Sequence, residues 1–455
     1  MIIRVVKNFL QGHDTPEGRG KKRVRKAALT GVATLAVRGV TIGAGLISIP
    51  LTARYLGTER FGLWLTLSSL LSWISIADLG LANSLTNALA TADGKQNQQQ
   101  AREAVSSAFW LMMGVMGIVI LVFTLAYPLV PWEKVFNVTS EQAKVEAGLA
   151  VLAGFIFFAL RLPLSIPSRI YGAYQEGYFY QIWSGIGSLL SIVALLIAIN
   201  FKAGLPQLVG AFFGTSLLAD LLAAVHIFGW QRRWLKPNIQ NFNWITSKWL
   251  LKTGAQFWIV QISAIAFLQT DLIIVAQLFG ASAVASYGVL LKLFSIIGIV
   301  QTAFLAPFWP AYCEALAKKD TNWIFQTFKK SIFLSLLWSC PMGILLLYLA
   351  PKIIQVWIGS ESVPKESLII AMLFTVIISA IAQCIGTLLT GMNQIMIQVI
   401  CASLAATFNI VIAISLAKLI GLPGVAIATG ITLFIFSILI GGLYIKIKIK
   451  NFVTT

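Results

Sequence analysis

Runs of about 20 apolar residues recur along this chain, and each is long enough to cross a bilayer as a helix. In hydrocarbon every backbone N–H and C=O must find its partner within the protein, so only helices and closed barrels span a membrane. The runs are continuously apolar rather than alternating, which excludes a β-barrel. Only 11% of the 455 residues are charged. Soluble domains average about 25%, so the charge here is too sparse to clothe a water-facing surface. The expected class is an all-α polytopic membrane protein.

Length and polar breaks predict about twelve spans. Their cores fall at 30–51, 62–86, 104–127, 145–166, 182–199 and 208–228, then at 254–278, 284–308, 332–349, 368–389, 399–419 and 425–445. The expected organisation is a basic tail (1–29), a six-helix bundle (30–229), a linker (230–250), a second six-helix bundle (251–445) and a short tail (446–455). With the N-terminus cytoplasmic, basic residues fall roughly three to one on the cytoplasmic side, so both termini are expected inside. The basic start followed by an apolar run resembles a signal peptide, but no cleavage site leads into a soluble domain. An uncleaved first span is the expectation.

The formal net charge of +18 would suggest nucleic acid in a soluble protein. In a membrane protein it reads as the positive-inside bias, and no nucleic-acid partner is expected. Cys313, Cys340, Cys384 and Cys401 lack zinc-like spacing, and His13 and His226 cannot form a metal site between them. No H-E-x-x-H, Walker loop or G-x-S-x-G occurs, so no cofactor, metal or catalytic residue is expected. The outer loops are short, which argues against a polymerase or membrane glycosyltransferase with an external catalytic domain.

The two halves carry matching fragments. "ARYLGTERFGLW" (53–64) corresponds to "AQLFGASAVASYGVL" (276–290), with Gly57 on Gly280. "GLP" at 204–206 corresponds to "GLP" at 421–423, and Gln181 falls on Gln398 at the same offset. Six spans per half is an even number, so the halves are expected to be parallel repeats about an axis along the membrane normal.

An ionisable group inside a span is a functional-site candidate by default. Asp78 lies within an apolar run, and Arg38 lies about eight residues, roughly 12 Å, from the inner end of the preceding span. Equal depth on antiparallel neighbours predicts an Arg38–Asp78 pair, and likewise an Asp271–Lys292 pair. Either could line a polar cavity or only fix helix register. Asp220 has no obvious partner and could carry a proton or sit neutral. Gln256, Ser263, Thr270 and Gln277 recur every seven residues on one helix face, as a wet wall or as interhelical hydrogen bonds. Asn83, Asn87, Gln269 and Gln301 are weaker signals of the same kind. The linker "GWQRRWLKPNIQNFNWITSKW" (229–249) has the tryptophans and cations of a segment lying along headgroups.

"LTARYLGTERFGLW", "ADLGL", "IPSRIYGAYQEGYFYQ" and "QTDLIIVAQLFGASAVASYGVLLKLF" resemble Wzx-type flippases of O-antigen and other polysaccharide repeat units. These belong to the multidrug/oligosaccharidyl-lipid/polysaccharide exporter superfamily. The resemblance implies two six-helix bundles forming a V around a central cationic cavity. It implies movement of an undecaprenyl-pyrophosphate-linked oligosaccharide across the bacterial inner membrane, coupled to H+ or Na+ rather than ATP. Membrane lipids, a polysaccharide polymerase and a chain-length regulator are the further partners expected. The cavity candidates are Arg38, Asp78, Asn83, Arg161, Arg169, Gln269, Asp271, Lys292 and Gln301, and the ion-coupling candidates are Asp78, Asp220 and Asp271. The competing readings are a cation antiporter of the same fold, a glycosyltransferase or polymerase, and a non-transporting scaffold of an assembly complex.

Overall fold

The structure is a computed structural model that describes residues 16–73, 78–136, 138, 140–357 and 364–454. Among them eleven helices are long and apolar enough to cross a membrane, and no strand occurs. The protein is an all-α, multi-pass membrane protein. The expected run 62–86 includes residues 74–77, which lie outside the described residues.

Helix α1 (Pro16–Trp73) passes through a non-helical Gly57 with φ 71° and ψ 174°. Helices α2 (Leu81–Gly94), α3 (Gln98–Ala126), α4 (Glu141–Leu164), α5 (Ile166–Ala173), α6 (Gly177–Asn200) and α7 (Leu205–Val225) follow. After the linker come α8 (Trp244–Phe279), α9 (Ala281–Leu305), α10 (Phe308–Ala317), α11 (Thr321–Trp357) and α12 (Glu366–Gly391). The chain ends with α13 (Ile395–Ile420), α14 (Pro423–Thr432), a π-helical segment (Leu433–Ile440) and α15 (Gly441–Thr454). Local chemistry starts these helices. The Asn97 side chain accepts from Gln100 N at the start of α3, and Ser140 accepts from Ala143 N at the start of α4.

The chain packs as two compact units. One comprises residues 32–255, the other residues 256–455 with the stretch up to Gly31. In the first unit, Ala143, Ala147, Ala150 and Gly154 put small residues on one face of α4, and the alanines pack with Leu205, Leu208 and Val209 of α7. Such a stripe lets backbones approach where lipid supplies no hydrophobic drive. The linker is laced to α3: Asn243 N donates to Ser107 Oγ (3.1 Å) and Asn238 N to Ser106 Oγ (3.2 Å). In the second unit, Tyr287, Leu290 and Phe294 of α9 pack with Ile369 and Met372 of α12 and Val425 of α14. Residues 16–31 join this unit through Arg23. Its Nε and Nη1 donate to Glu314 (2.7 Å) and Asp320 (2.8 Å), and its guanidinium lies 4.6 Å from the Trp323 ring centroid. Expected among the charges of a basic tail, Arg23 is instead only 3% exposed.

The turns repeat between the halves. Gly57 and Gly280 share one conformation, φ 71°/ψ 174° and φ 82°/ψ 176°. Gln96 and Lys319 are both left-handed, at φ 54° and 57°, as are Gln175 and Asn393, at 57° and 55°. The residues that follow close the same bond: Asn97 N to Ala92 O and Asp320 N to Ala315 O, then Glu176 N to Tyr171 O and Gln394 N to Leu389 O. The two GLP segments differ, with Gly204 extended (φ −70°, ψ 172°) and Gly421 at φ 76°.

Candidate functional site

Asp78 does not continue a helix. The chain turns at Asp78–Gly80, where Leu79 and Gly80 have φ 52° and 71°. Asp78 Oδ1 accepts from Gly80 N (2.9 Å) and its carbonyl accepts from Leu81 N (3.0 Å). The carboxylate thus stabilises the turn that starts α2. The cation acting on it is Arg169 of α5. Arg38 is exposed and pairs with no carboxylate among the described residues. The expected Arg38–Asp78 pair is therefore absent here, because the turn takes Asp78 off the continuous helix from which equal depth was argued.

Arg169 is placed by α5. Ser165 interrupts α4, whose Pro163 cannot donate a backbone bond, and Pro167 then opens α5. Arg169 Nη1 donates to Asn83 Oδ1 of α2 (3.0 Å), while its Nε is buried without a hydrogen-bond partner. Eight residues earlier, Arg161 lies in the last turn of α4. Its Nε donates to Asp220 Oδ2 of α7 (2.9 Å), and Tyr180 OH of α6 donates to Asp220 Oδ1 (2.8 Å). Asp220, which seemed partnerless in the sequence, has both oxygens engaged. Its side chain is 4% exposed, while that of Arg161 is 45% exposed. The first unit thus brings Arg161 together with Asp220, and Arg169 together with Asn83 and Asp78, with Tyr180 as a member of the Arg161 site that sequence reasoning missed. An arginine offers five donors in a fixed fork, and among the described residues Arg161 commits its Nε to Asp220 and Arg169 its Nη1 to Asn83.

The second unit holds a different arrangement. Asp271 of α8 is 3% exposed. Asn409 Nδ2 of α13 donates to its Oδ1 (2.8 Å), and Thr429 Oγ1 of α14 (2.7 Å) and Tyr287 OH of α9 (3.3 Å) donate to Oδ2. The expected Asp271–Lys292 pair is not formed, and Lys292 is exposed. Tyr287 sits more than one turn before Lys292 on α9 and meets the carboxylate instead. Every donor to Asp271 is neutral. Asn409 is fully buried, and its Oδ1 has no hydrogen-bond partner. A lone asparagine within an apolar run was the available sequence signal for this site.

The remaining candidates lie apart from these groups. Gln301 is 1% exposed and donates to Ala380 O (2.8 Å), an interhelical tie between α9 and α12. Gln269 lies on α8, but its side chain is outside the described residues. In the seven-residue stripe, Ser263 reaches Ser403 Oγ on α13 (3.4 Å), while Gln277 is exposed.

Comparison with known proteins gives concordant results. The model of the family described as polysaccharide biosynthesis protein matches residues 28–311, and the MatE family model matches residues 258–415. A proposed O-antigen transporter of Salmonella typhi is 26% identical over 366 residues, covering 79% of this chain and 82% of the relative. A proposed O-antigen export protein of Yersinia pseudotuberculosis is 25% identical, over 65% and 67%. The uncharacterized membrane protein EpsK of Bacillus subtilis is 23% identical, over 87% and 78%. Among solved structures, MATE in complex with MaD3S shares the fold with a TM-score of 0.82 at 13% identity, over 98% of this chain and all of that one. An outward-facing multidrug resistance MATE family transporter of the MOP superfamily has a TM-score of 0.80 at 13% identity, over 97% and 99%.

Proposed function

Because this chain belongs to the polysaccharide biosynthesis protein family, we propose that it is a flippase for lipid-linked oligosaccharides. The cargo is an undecaprenyl-pyrophosphate-linked repeat unit of O-antigen or another surface polysaccharide. It moves from the cytoplasmic to the periplasmic leaflet of the bacterial inner membrane by alternating access. The relatives named for O-antigen transport and export support that cargo class. The observation that carries the reading is the pair Arg161 and Arg169, two guanidiniums on membrane-spanning helices. A pyrophosphate crossing hydrocarbon leaves its oxygens unsatisfied at a cost of several kcal/mol or more. Charge-assisted, bidentate arginine contacts offset that cost while the lipid tail stays in the bilayer. The step breaks no covalent bond, so it requires no catalytic residue.

Coupling falls to the buried carboxylates. Asp271, surrounded by neutral donors, takes up H+ or Na+, and Asp220 exchanges its hold on Arg161 as the anionic head arrives. A second reading has an observation in its favour: the MatE match, and a buried carboxylate with no cation beside it, suit a cation antiporter. The two readings separate in proteoliposomes holding the purified protein. A fluorescent undecaprenyl-pyrophosphate-linked sugar should become protected from a membrane-impermeant quencher. Arg161→Gln and Arg169→Gln should each slow this roughly tenfold or more, a charged hydrogen bond being worth about 1.5–3 kcal/mol. Counterflow of an organic cation without lipid movement would establish the antiporter instead.

A further inference from the structure

Residues 221–270 contain five cations, Arg232, Arg233, Lys236, Lys248 and Lys252, and no carboxylate. Of the five, only Arg232 pairs with an acid among the described residues. Its Nη1 donates to Glu176 (2.8 Å) and its guanidinium stacks 4.0 Å from the centroid of Tyr174. Burial alone would lower its pKa, but Glu176 holds it above the ordinary guanidinium range. The other four cations are exposed and in no ion pair among the described residues. Interleaved with them, Trp230 (68%), Ile239 (60%) and Ile245 (81%) are exposed as well.

The segment runs from the end of one candidate span, Leu205–Gln231, which carries Trp230, into the first turns of the next, Trp244–Phe279, which carry Ile245, Lys248 and Lys252. Its polar backbone is tied to α3 by Asn238 and Asn243, and Asn243 Nδ2 also donates to Glu103 (3.0 Å). A segment held at the membrane surface, displaying large apolar side chains and unpaired cations together, is mismatched to water. It is matched to a layer that has phosphate charge above and acyl chains below.

We propose that residues 230–252 form a docking surface for anionic phospholipid headgroups, with Arg233, Lys236, Lys248 and Lys252 as the phosphate-binding cations. The interleaved Trp230, Ile239 and Ile245 enter the acyl boundary and hold the segment at fixed depth. Each cation near an anionic leaflet strengthens binding about fivefold, so neutralising three weakens it on the order of 100-fold. Screening by salt acts over a Debye length of about 8 Å at 0.15 M, so the interaction is salt-sensitive.

The test is hydrogen–deuterium exchange on the full-length protein, in nanodiscs of phosphatidylcholine alone or with phosphatidylglycerol. Peptides covering 230–252 should exchange more slowly with phosphatidylglycerol present, and 0.5 M salt should remove the difference. The variant Arg233→Gln/Lys236→Gln/Lys248→Gln should lose that protection while exchange elsewhere stays as in the parent. These side chains are exposed and form no ion pair with the rest of the described chain. Equal exchange in the two lipids overturns the proposal, and so does full protection in the triple variant. Protection reproduced by inorganic phosphate in phosphatidylcholine discs also overturns it, by assigning the site to a free anion. Flipping plays no part in the readout, so the result is independent of the transport reading.

Discussion

A carboxylate in an apolar run has two physical outlets, a cation or a set of neutral donors, and this chain uses both. Asp220 takes Arg161 and Tyr180, while Asp271 takes Asn409, Thr429 and Tyr287. The two should respond differently to substitution. Asp271→Asn keeps the shape and can still hydrogen-bond, so folding should survive, while transport should lose its response to an imposed ion gradient. Retention of gradient-driven accumulation by that variant would exclude Asp271 from coupling. Arg23 makes the sharpest stability prediction. Arg23→Ala leaves Glu314 and Asp320 without their shared cation, and breaking a buried pair this way costs about 3–5 kcal/mol. Thermal unfolding in detergent measures it. A change under about 1 kcal/mol would mean that Lys318, which also pairs with Glu314, compensates.

At the scale of elements, three turns carry the internal repeat, at Gly57 and Gly280, Gln96 and Lys319, and Gln175 and Asn393. Membrane helices tolerate any apolar residue, whereas a reversal of direction needs particular backbone angles. Gly57 and Gly280 occupy a region, φ near +75° with extended ψ, that is essentially closed to residues bearing a Cβ. A methyl group added to either would meet no atom within 4 Å, so space is not the constraint. Gly57→Ala and Gly280→Ala should therefore each destabilise by about 1–3 kcal/mol through backbone strain alone. Gly62→Ala, a helical glycine that is equally uncrowded, is the control and should be neutral or slightly stabilising. Equal effects at 57 and 62 would show that the positive φ is not what selects glycine.

For the whole molecule, the proposed cycle draws its energy from an ion gradient. One charge moved through 100 mV supplies about 2.3 kcal/mol, nearly a fiftyfold accumulation, so one or two ions suffice. Accumulation of labelled lipid-linked sugar in proteoliposomes should persist without ATP and collapse when an ionophore dissipates the gradient. Accumulation sustained by ATP with no gradient would refute ion coupling.

The sequence by itself determined the class of the protein, since 20-residue apolar runs leave a chain no alternative to spanning helices. It also exposed the repeat through Gly57 and Gly280, because a glycine forced by positive φ survives where packing residues drift. Arg161 and Arg169 were cavity candidates only beside the family resemblance, whereas Asn83, Asp78, Asp220 and Asp271 were visible as polar residues out of place in apolar segments. Their partners were not. Depth along a helix is one coordinate, and it suggested Arg38 for Asp78 and Lys292 for Asp271. Contact also depends on the direction in which a side chain leaves its helix and on which helices are neighbours, and only the tertiary structure decides these. A turn at Leu79–Gly80 turned Asp78 toward α5, and the packing of α13 and α14 on α8 delivered Asn409 and Thr429 to Asp271 from well over 100 residues away.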